Sequence, residues 1–221
     1  MITLFLPALF GAPGGYEAAR LRMVRVDIEA RGVRSATVLE AMRSTPRHLF
    51  VPAPLRYLAY ADHPLPIGHG QTISQPYVVA FMTELLDPQP HHRVLEIGTG
   101  CGYQAAVLSR LVKEVYTIEI VPELARDSAS LLKQLGYYNV FVRAGDGYRG
   151  WPEKAPFDRI LLTAAAPQVP KTLTDQLRVG GKLVAPEGMV LQNLVLLEKR
   201  TDGSLQRKVS LPVRFVPMVR E

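Results

Sequence analysis

The sequence predicts an α/β fold: a doubly wound, mostly parallel sheet of Rossmann-like type, with an N-terminal helical appendage and an antiparallel C-terminal edge. Three observations lead there. From Arg93 onward, short β-branched runs alternate with segments of helical period, the pattern of a parallel sheet covered on both faces. A glycine-rich turn, "GTGCG", joins the first of these runs to the helix after it. Finally, "NLVLLEKR" and "LQRKVSLPVRFVPMV" flank "TDGS" and predict a closing hairpin with Asp202-Gly203 in its turn.

The elements follow in order. Ile2 to Ala12 is apolar but broken by Pro7, far short of the roughly 20 residues a membrane helix needs. No basic residue precedes Arg20, which argues against a signal peptide, so residues 1–15 are a leader of unassigned role. From Tyr16 to Ala30, Leu21, Val24 and Ile28 recur at helical spacing, and Gly32 ends the helix. Ser35 is an N-cap for a short helix carrying Val38, Leu39 and Met42. Residues 45–70 hold five prolines and two glycines and read as connecting structure. "GQTISQP" then precedes an apolar helical segment, a cluster of hydrogen-bonding side chains larger than one helix cap requires. In the alternating region Pro122 opens a helix and Gly136 lies just past its end, the usual asymmetry. We therefore expect one domain over 16–221, with helices and a covering loop in 16–90 and the sheet core in 91–221.

Hydrophobic residues make up 48% and charged residues 21% of the 221, an ordinary globular composition. The net charge of +6 is uneven: residues 1–60 and 199–221 each carry +4, the middle −2. No Lys/Arg run is interleaved with aromatics, so the composition predicts neither a nucleic-acid groove nor a membrane partner; a positive rim that attracts carboxylate substrates fits instead. One cysteine, Cys101, permits no internal disulfide and suits a reducing, cytoplasmic compartment. His48, His63 and His69 have no metal-ligand spacing. No apolar stripe is left over for self-association, which predicts a monomer.

The chemistry-bearing residues sit at successive strand ends. Gly98, Gly100 and Gly102 let the backbone turn tightly and approach a ligand closely. Their G-x-G-x-G spacing lacks the third glycine of the dinucleotide fingerprint, and no Gly-Lys-Ser/Thr follows for a phosphate loop. Glu119 ends the second strand, where an acid accepts from ribose hydroxyls. Asp146 ends the third, where a carboxylate can accept from an exocyclic amine such as adenine's, and Glu96 adds a carboxylate near the place of a cofactor's ammonium or sulfonium charge.

This set resembles the class I S-adenosylmethionine-dependent methyltransferases. Together with "LPIGHGQTISQPYVVAFMTELL", "GDGYRGWPEKAPFDRILLTAAAPQVP" and "VRFVPMV", it resembles one family, the protein-L-isoaspartate O-methyltransferases, from about Ala19 to the C-terminus. The resemblance implies S-adenosylmethionine as cofactor and S-adenosylhomocysteine as product. It implies cofactor contacts from Gln71, Thr72, Ile73, Ser74, Glu96, Gly98, Thr99, Gly100, Gly102, Glu119, Ile120, Gly145, Asp146 and Gly147. Ser74 would lie beside the reacting methyl and the substrate carboxylate, as the catalytic residue. Val216 would contact the substrate backbone, and "TAAAPQVP" would border the site; Tyr148 and Trp151 would pack around the adenine side or the core. The implied partners are isoaspartyl proteins and peptides. Cys101 stands where family members usually carry serine, which raises the question of alkylation or oxidation beside the cofactor.

An isoaspartyl α-carboxylate, which ordinarily titrates near a pH of about 3.5, is already an anionic nucleophile at neutral pH. No general base is required. The family's product ester closes without enzyme to a succinimide that reopens partly to aspartate. The residues alone leave open a methyltransferase of another acceptor, RNA or a small molecule, or an inactive cofactor-binding module. "TAAAP" stands where amino-directed nucleic-acid enzymes carry their Asn/Asp-Pro-Pro-aromatic tetrapeptide.

Overall fold

The computed structural model describes residues 13–220; most of the predicted leader, residues 1–12, lies outside them. Helix α1 (Pro13–Met23) starts three residues earlier than its periodicity predicts. It passes into a wide π-type turn over Val24–Ile28 and a tight turn over Glu29–Arg31, and Gly32, at φ 104°, ends it. The widened turn rotates the stripe. Met23, Val24 and Ile28 are fully buried, whereas Leu21, predicted on the apolar face, is 46% exposed. α2 (Ala36–Ser44) is capped as predicted, the Ser35 hydroxyl accepting from the Val38 N–H.

The proline-rich segment is not featureless. It forms two 3₁₀ turns and then a small hairpin, β1 (Leu65–Gly68) with β2 (Gln71–Ile73), so the "QTI" of the polar cluster is strand. Then follow α3 (Pro76–Leu86), β3 (Arg93–Ile97), α4 (Tyr103–Ser109), β4 (Glu114–Glu119), α5 (Pro122–Gln134), β5 (Val140–Ala144), β6 (Phe157–Leu162), α6 (Lys171–Asp175), β7 (Leu177–Glu187), β8 (Gln192–Lys199) and β9 (Leu205–Val213).

β3 to β9 form a seven-stranded sheet of order β5-β4-β3-β6-β7-β8-β9. β3 to β7 are parallel, and β8 pairs antiparallel with both β7 and β9. The central strands are buried on both sides, as parallel strands must be. Alternation sends Val94 toward α3 and α4, and Leu95 and Ile97 toward α6. The α6 face is covered mostly by short turns and by Met218 from the chain end. The N-terminal helices are integral to the packing: Met23, Val24 and Met42 share a cluster with Val79 and Ala80 of α3 and Tyr103 of α4.

The sequence predicted strand through "RFVPMV", but β9 stops at Val213. Beyond Val213, where Pro217 has no N–H to give a ladder, the pairing is taken over by other groups. Gln192 does so with its side-chain amide, accepting from Phe215 N at 2.6 Å and donating to its carbonyl at 3.1 Å. Residues 214–218 then return to the end of β6, where Ala165 N donates to Val216 O and Met218 N to Ala165 O, both at 2.8 Å. Among the described residues no helix is long and apolar enough to cross a membrane.

Candidate active site

The site lies at the carboxyl ends of the parallel strands, where such folds bind ligands. Leaving β3, the N–H groups of Gly98 and Thr99 both donate to Ile118 O, at 2.8 and 3.2 Å, tying the glycine loop to β4. Gly98 has φ 99°, and a Cβ there would collide with the Thr163 hydroxyl. That hydroxyl lies 2.6 Å from Gly98 O and 3.0 Å from Ile97 O, so its one proton serves both carbonyls. Glu119, 4% exposed, braces the loop from the other side. Its Oε2 accepts from Gly100 N at 2.7 Å and its Oε1 from Val121 N at 3.0 Å, and each oxygen keeps a lone pair for a further donor.

The β1–β2 hairpin covers the loop, with Ile67 Cδ1 3.2 Å from where a Cβ on Gly100 would lie. The start of α3 is capped from elsewhere. Asp62 accepts from Tyr77 N at 2.9 Å and from Gln75 Nε2 at 2.7 Å, and this frees Thr72 and Ser74 from any capping duty. Between them they border three adjoining cavities instead. A cleft of about 60 Å³ is lined by Gln71, Thr72, Gly98, Gly100, Glu119, Ile120, Gly147 and Val216, among others. A chamber of about 40 Å³ lies between Thr72, Ile73, Ser74 and the loop residues Gly98, Thr99 and Gly100. A groove of about 830 Å³ runs past Thr72, Ser74, Tyr77 and the Leu211–Val216 segment. Thr72 and Thr163 border all three, and Ser74 borders chamber and groove.

Four predicted cofactor residues do not line these openings. Gly102 starts α4 at φ 88°. Gly145 donates its N–H to Glu119 O at 2.9 Å, fastening the end of β5 to β4. Asp146 is half-buried and caps a 3₁₀ turn by accepting from Tyr148 N at 2.8 Å through one oxygen, its other oxygen without a hydrogen bond among the described residues. Glu96, predicted near the cofactor's charge, is wholly buried beneath the loop. Strand alternation turns it away from Ile97's face toward Thr117, whose hydroxyl donates to Oε2 at 2.6 Å and in turn meets Thr99 Oγ1 at 2.7 Å. Its Oε1 has no hydrogen-bond partner among the described residues. Burial, with Glu119 nearby, pushes its carboxyl up to about 8, so it holds its proton at neutral pH.

Cys101 borders the chamber, and burial pushes its thiol up to about 11. That direction favours the thiol over the reactive thiolate. Tyr148 and Trp151 pack against the α6-side core. No group of His, Cys, Asp and Glu among the described residues could hold a metal.

The sequence pointed to the stretch containing Thr163 only through family resemblance, and nothing in "LLTAAA" marks that residue. Met218 and Val219, which complete the cleft wall, were equally silent. Their place follows from the chain's return over the sheet, which no local pattern encodes.

The donor set suits a nucleoside joined to an amino acid. Glu119, whose oxygens each keep a lone pair at the cleft, supplies acceptors, and Gln71 and Thr72 on the facing edge supply the polar side chains such a ligand needs. The present cleft is much smaller than the roughly 300 Å³ a ligand of that size occupies. Met218, only 9% exposed, completes the wall of the cleft.

Comparison with known proteins agrees. The family model for protein-L-isoaspartate(D-aspartate) O-methyltransferase matches residues 19–221. A protein-L-isoaspartate O-methyltransferase of Picosynechococcus is 55% identical over 91% of this chain and 90% of its own. A second, protein-L-isoaspartate O-methyltransferase 1 of Nitrosospira multiformis, is 56% identical over 92% and 88%. A solved protein-L-isoaspartate O-methyltransferase superposes with a TM-score of 0.81 at 32% identity, over 90% of this chain and 65% of that one. The crystal structure of a putative relative from Plasmodium falciparum in complex with S-adenosyl-L-homocysteine has a TM-score of 0.80 at 23% identity, a likeness of fold. With the family model spanning all but the first eighteen residues, the chain belongs to the protein-L-isoaspartate(D-aspartate) O-methyltransferase family.

Proposed function

We propose that this chain methylates the free α-carboxyl of isoaspartyl residues in damaged proteins and peptides, using S-adenosylmethionine. The observation that carries the proposal is the position of Ser74, on the boundary between the chamber at the glycine loop and the 830 Å³ groove. A donor hydroxyl at that boundary can meet a substrate carboxylate arriving from the groove at the point where it reaches the cofactor.

The glycine loop with Glu119 and Asp146 would hold the cofactor, which would supply an electrophilic methyl on its sulfonium. The chain's own residues then have a positioning task. The acceptor is already ionised, so rate comes from desolvating it and holding it in line at about 3 to 3.5 Å from the methyl. Ser74 Oγ orients one carboxylate oxygen, and Thr72, on the same edge, walls the path. Arg31 and Arg214 line the groove and give it positive potential. Arg31 is fixed at 2.5 Å from Asp62 and stacks 3.7 Å over Tyr77, whereas Arg214 makes no ion pair among the described residues. Val216 lies on both the groove and the cleft, which suits a residue contacting peptide beside cofactor.

The test uses methyl-labelled S-adenosylmethionine and two short peptides differing only in isoaspartyl or aspartyl linkage. Base-labile label on the isoaspartyl peptide alone is the expected result. Label on neither, with cofactor bound, would overturn the substrate assignment and turn the search to RNA or small molecules.

A further inference from the structure

The β7–β8 turn carries the most exposed run of large apolar side chains among the described residues. Met189, Val190 and Leu191 are consecutive, large and apolar, yet 78%, 94% and 84% exposed. A loop tip is normally polar because an apolar side chain in water gains nothing from being there. This tip is also held in place. Gly188 sits at φ 121° with no room for a Cβ against the Leu191 carbonyl, and its N–H donates to Ala166 O at 2.9 Å. At one base, Glu187 accepts from Val169 N at 3.3 Å and pairs with Arg207 at 2.9 Å. At the other, Gln192 grips Phe215 through both atoms of its amide.

The location supplies a meaning. β7 runs parallel to β6, so its carboxyl end, and the tip with it, lies at the same end of the sheet as the glycine loop. Leu191 directly precedes Gln192, and the segment that Gln192 grips is the one that lines the substrate groove. Three residues are too small an area for a stable contact with a second copy, which needs about 1,200 Å² or more. None of the three lines the groove itself, but a polypeptide seated there and long enough to run on past Phe215 would reach the tip as part of the same binding event.

We propose that Met189–Leu191 is an apolar docking point for residues flanking the isoaspartate, so that the enzyme prefers damaged segments that are locally unfolded and expose apolar side chains. The inference rests on the isoaspartyl activity proposed above and specifies its substrate class. The isoaspartate itself offers one carboxylate of one size, whereas apolar side chains are what unfolded segments of different sequence have in common. The groove recognises the lesion and the tip recognises the unfolded context.

Two isoaspartyl peptides of equal length test this, one flanked by Val, Leu and Phe, the other by Gly and Ser. The protein is compared with Met189→Ser/Val190→Ser/Leu191→Ser and with Val190→Ser alone. For the apolar peptide the triple variant should raise KM about tenfold with kcat within about twofold, and the single variant by a smaller factor. The Gly/Ser peptide should keep its KM in all three proteins. Unchanged KM for the apolar peptide in both variants would overturn the inference while leaving the activity intact. A loss of self-association in the variants by light scattering, with KM unaltered, would assign the tip to a second copy instead. Methylation of neither peptide by the unaltered protein would remove the activity itself, an outcome distinct from both.

Discussion

The Thr163 hydroxyl lies beneath Gly98, 2.6 Å from its carbonyl oxygen, occupying the space a side chain at position 98 would need. Two strands, β3 and β6, thereby fix the first turn of the cofactor loop from below. Thr163→Val keeps the shape and removes the donor, leaving Gly98 O and Ile97 O without it. A lost buried hydrogen bond of this kind costs about 1 to 3 kcal/mol. We expect a lower melting temperature and a several-fold weaker affinity for S-adenosylhomocysteine by calorimetry, with Thr163→Ser close to the native protein. Equal behaviour of the Val and Ser variants would show that the hydroxyl is a spacer only.

Ser74 belongs to chamber and groove and caps nothing. Ser74→Ala should therefore lower kcat by roughly tenfold to hundredfold, the scale of misplacing a reactant, while cofactor affinity changes little. Parallel losses in kcat and cofactor affinity would contradict the role given to it.

Glu119 presents a different balance, because both its oxygens already hold backbone N–H groups of the loop. Glu119→Ala should weaken cofactor binding at least tenfold and also lower thermal stability, since charged acceptors are worth about 1.5 to 3 kcal/mol each. Unchanged binding by calorimetry would sink the assignment.

Glu96 makes stability depend on pH. Its carboxyl holds its proton up to about 8 in the folded chain and loses it near the ordinary glutamate value when unfolded. Below the unfolded value both states are protonated and the group contributes no slope. Between there and about pH 8 the folded state retains a proton that the unfolded state releases, so stability falls as pH rises, by at most about 1.4 kcal/mol per unit. Glu96→Gln removes this fall. Denaturant unfolding from pH 5 to 8 should show the variant gaining on the native protein as pH increases; a constant gap across that range would mean that Glu96 is ionised throughout.

The sheet, the glycine loop, the acids at strand ends and the polar stretch before α3 were all legible in the sequence. Each is written locally: β-branched runs fix strands, Pro122 and Gly136 bracket α5, and Gly98 answers a backbone demand that no other residue meets. The family's stretches were legible for the same reason, being contiguous. Which of these groups meet was a matter for the folded chain. Glu96 and Ile97 are neighbours in the chain, yet the two-residue period of β3 turns Glu96 into the core beneath the loop and Ile97 toward the cleft. Ser74 is spared for a ligand because Asp62, well upstream in the chain, takes the start of α3. Thr163 gained its place from the pairing of β6 with β3, and Val216 and Met218 from a chain that leaves β9 after Val213 and comes back to Ala165. Such meetings depend on strand order and on where the chain turns, and these are settled by the packing of the whole core, which no short stretch of sequence contains.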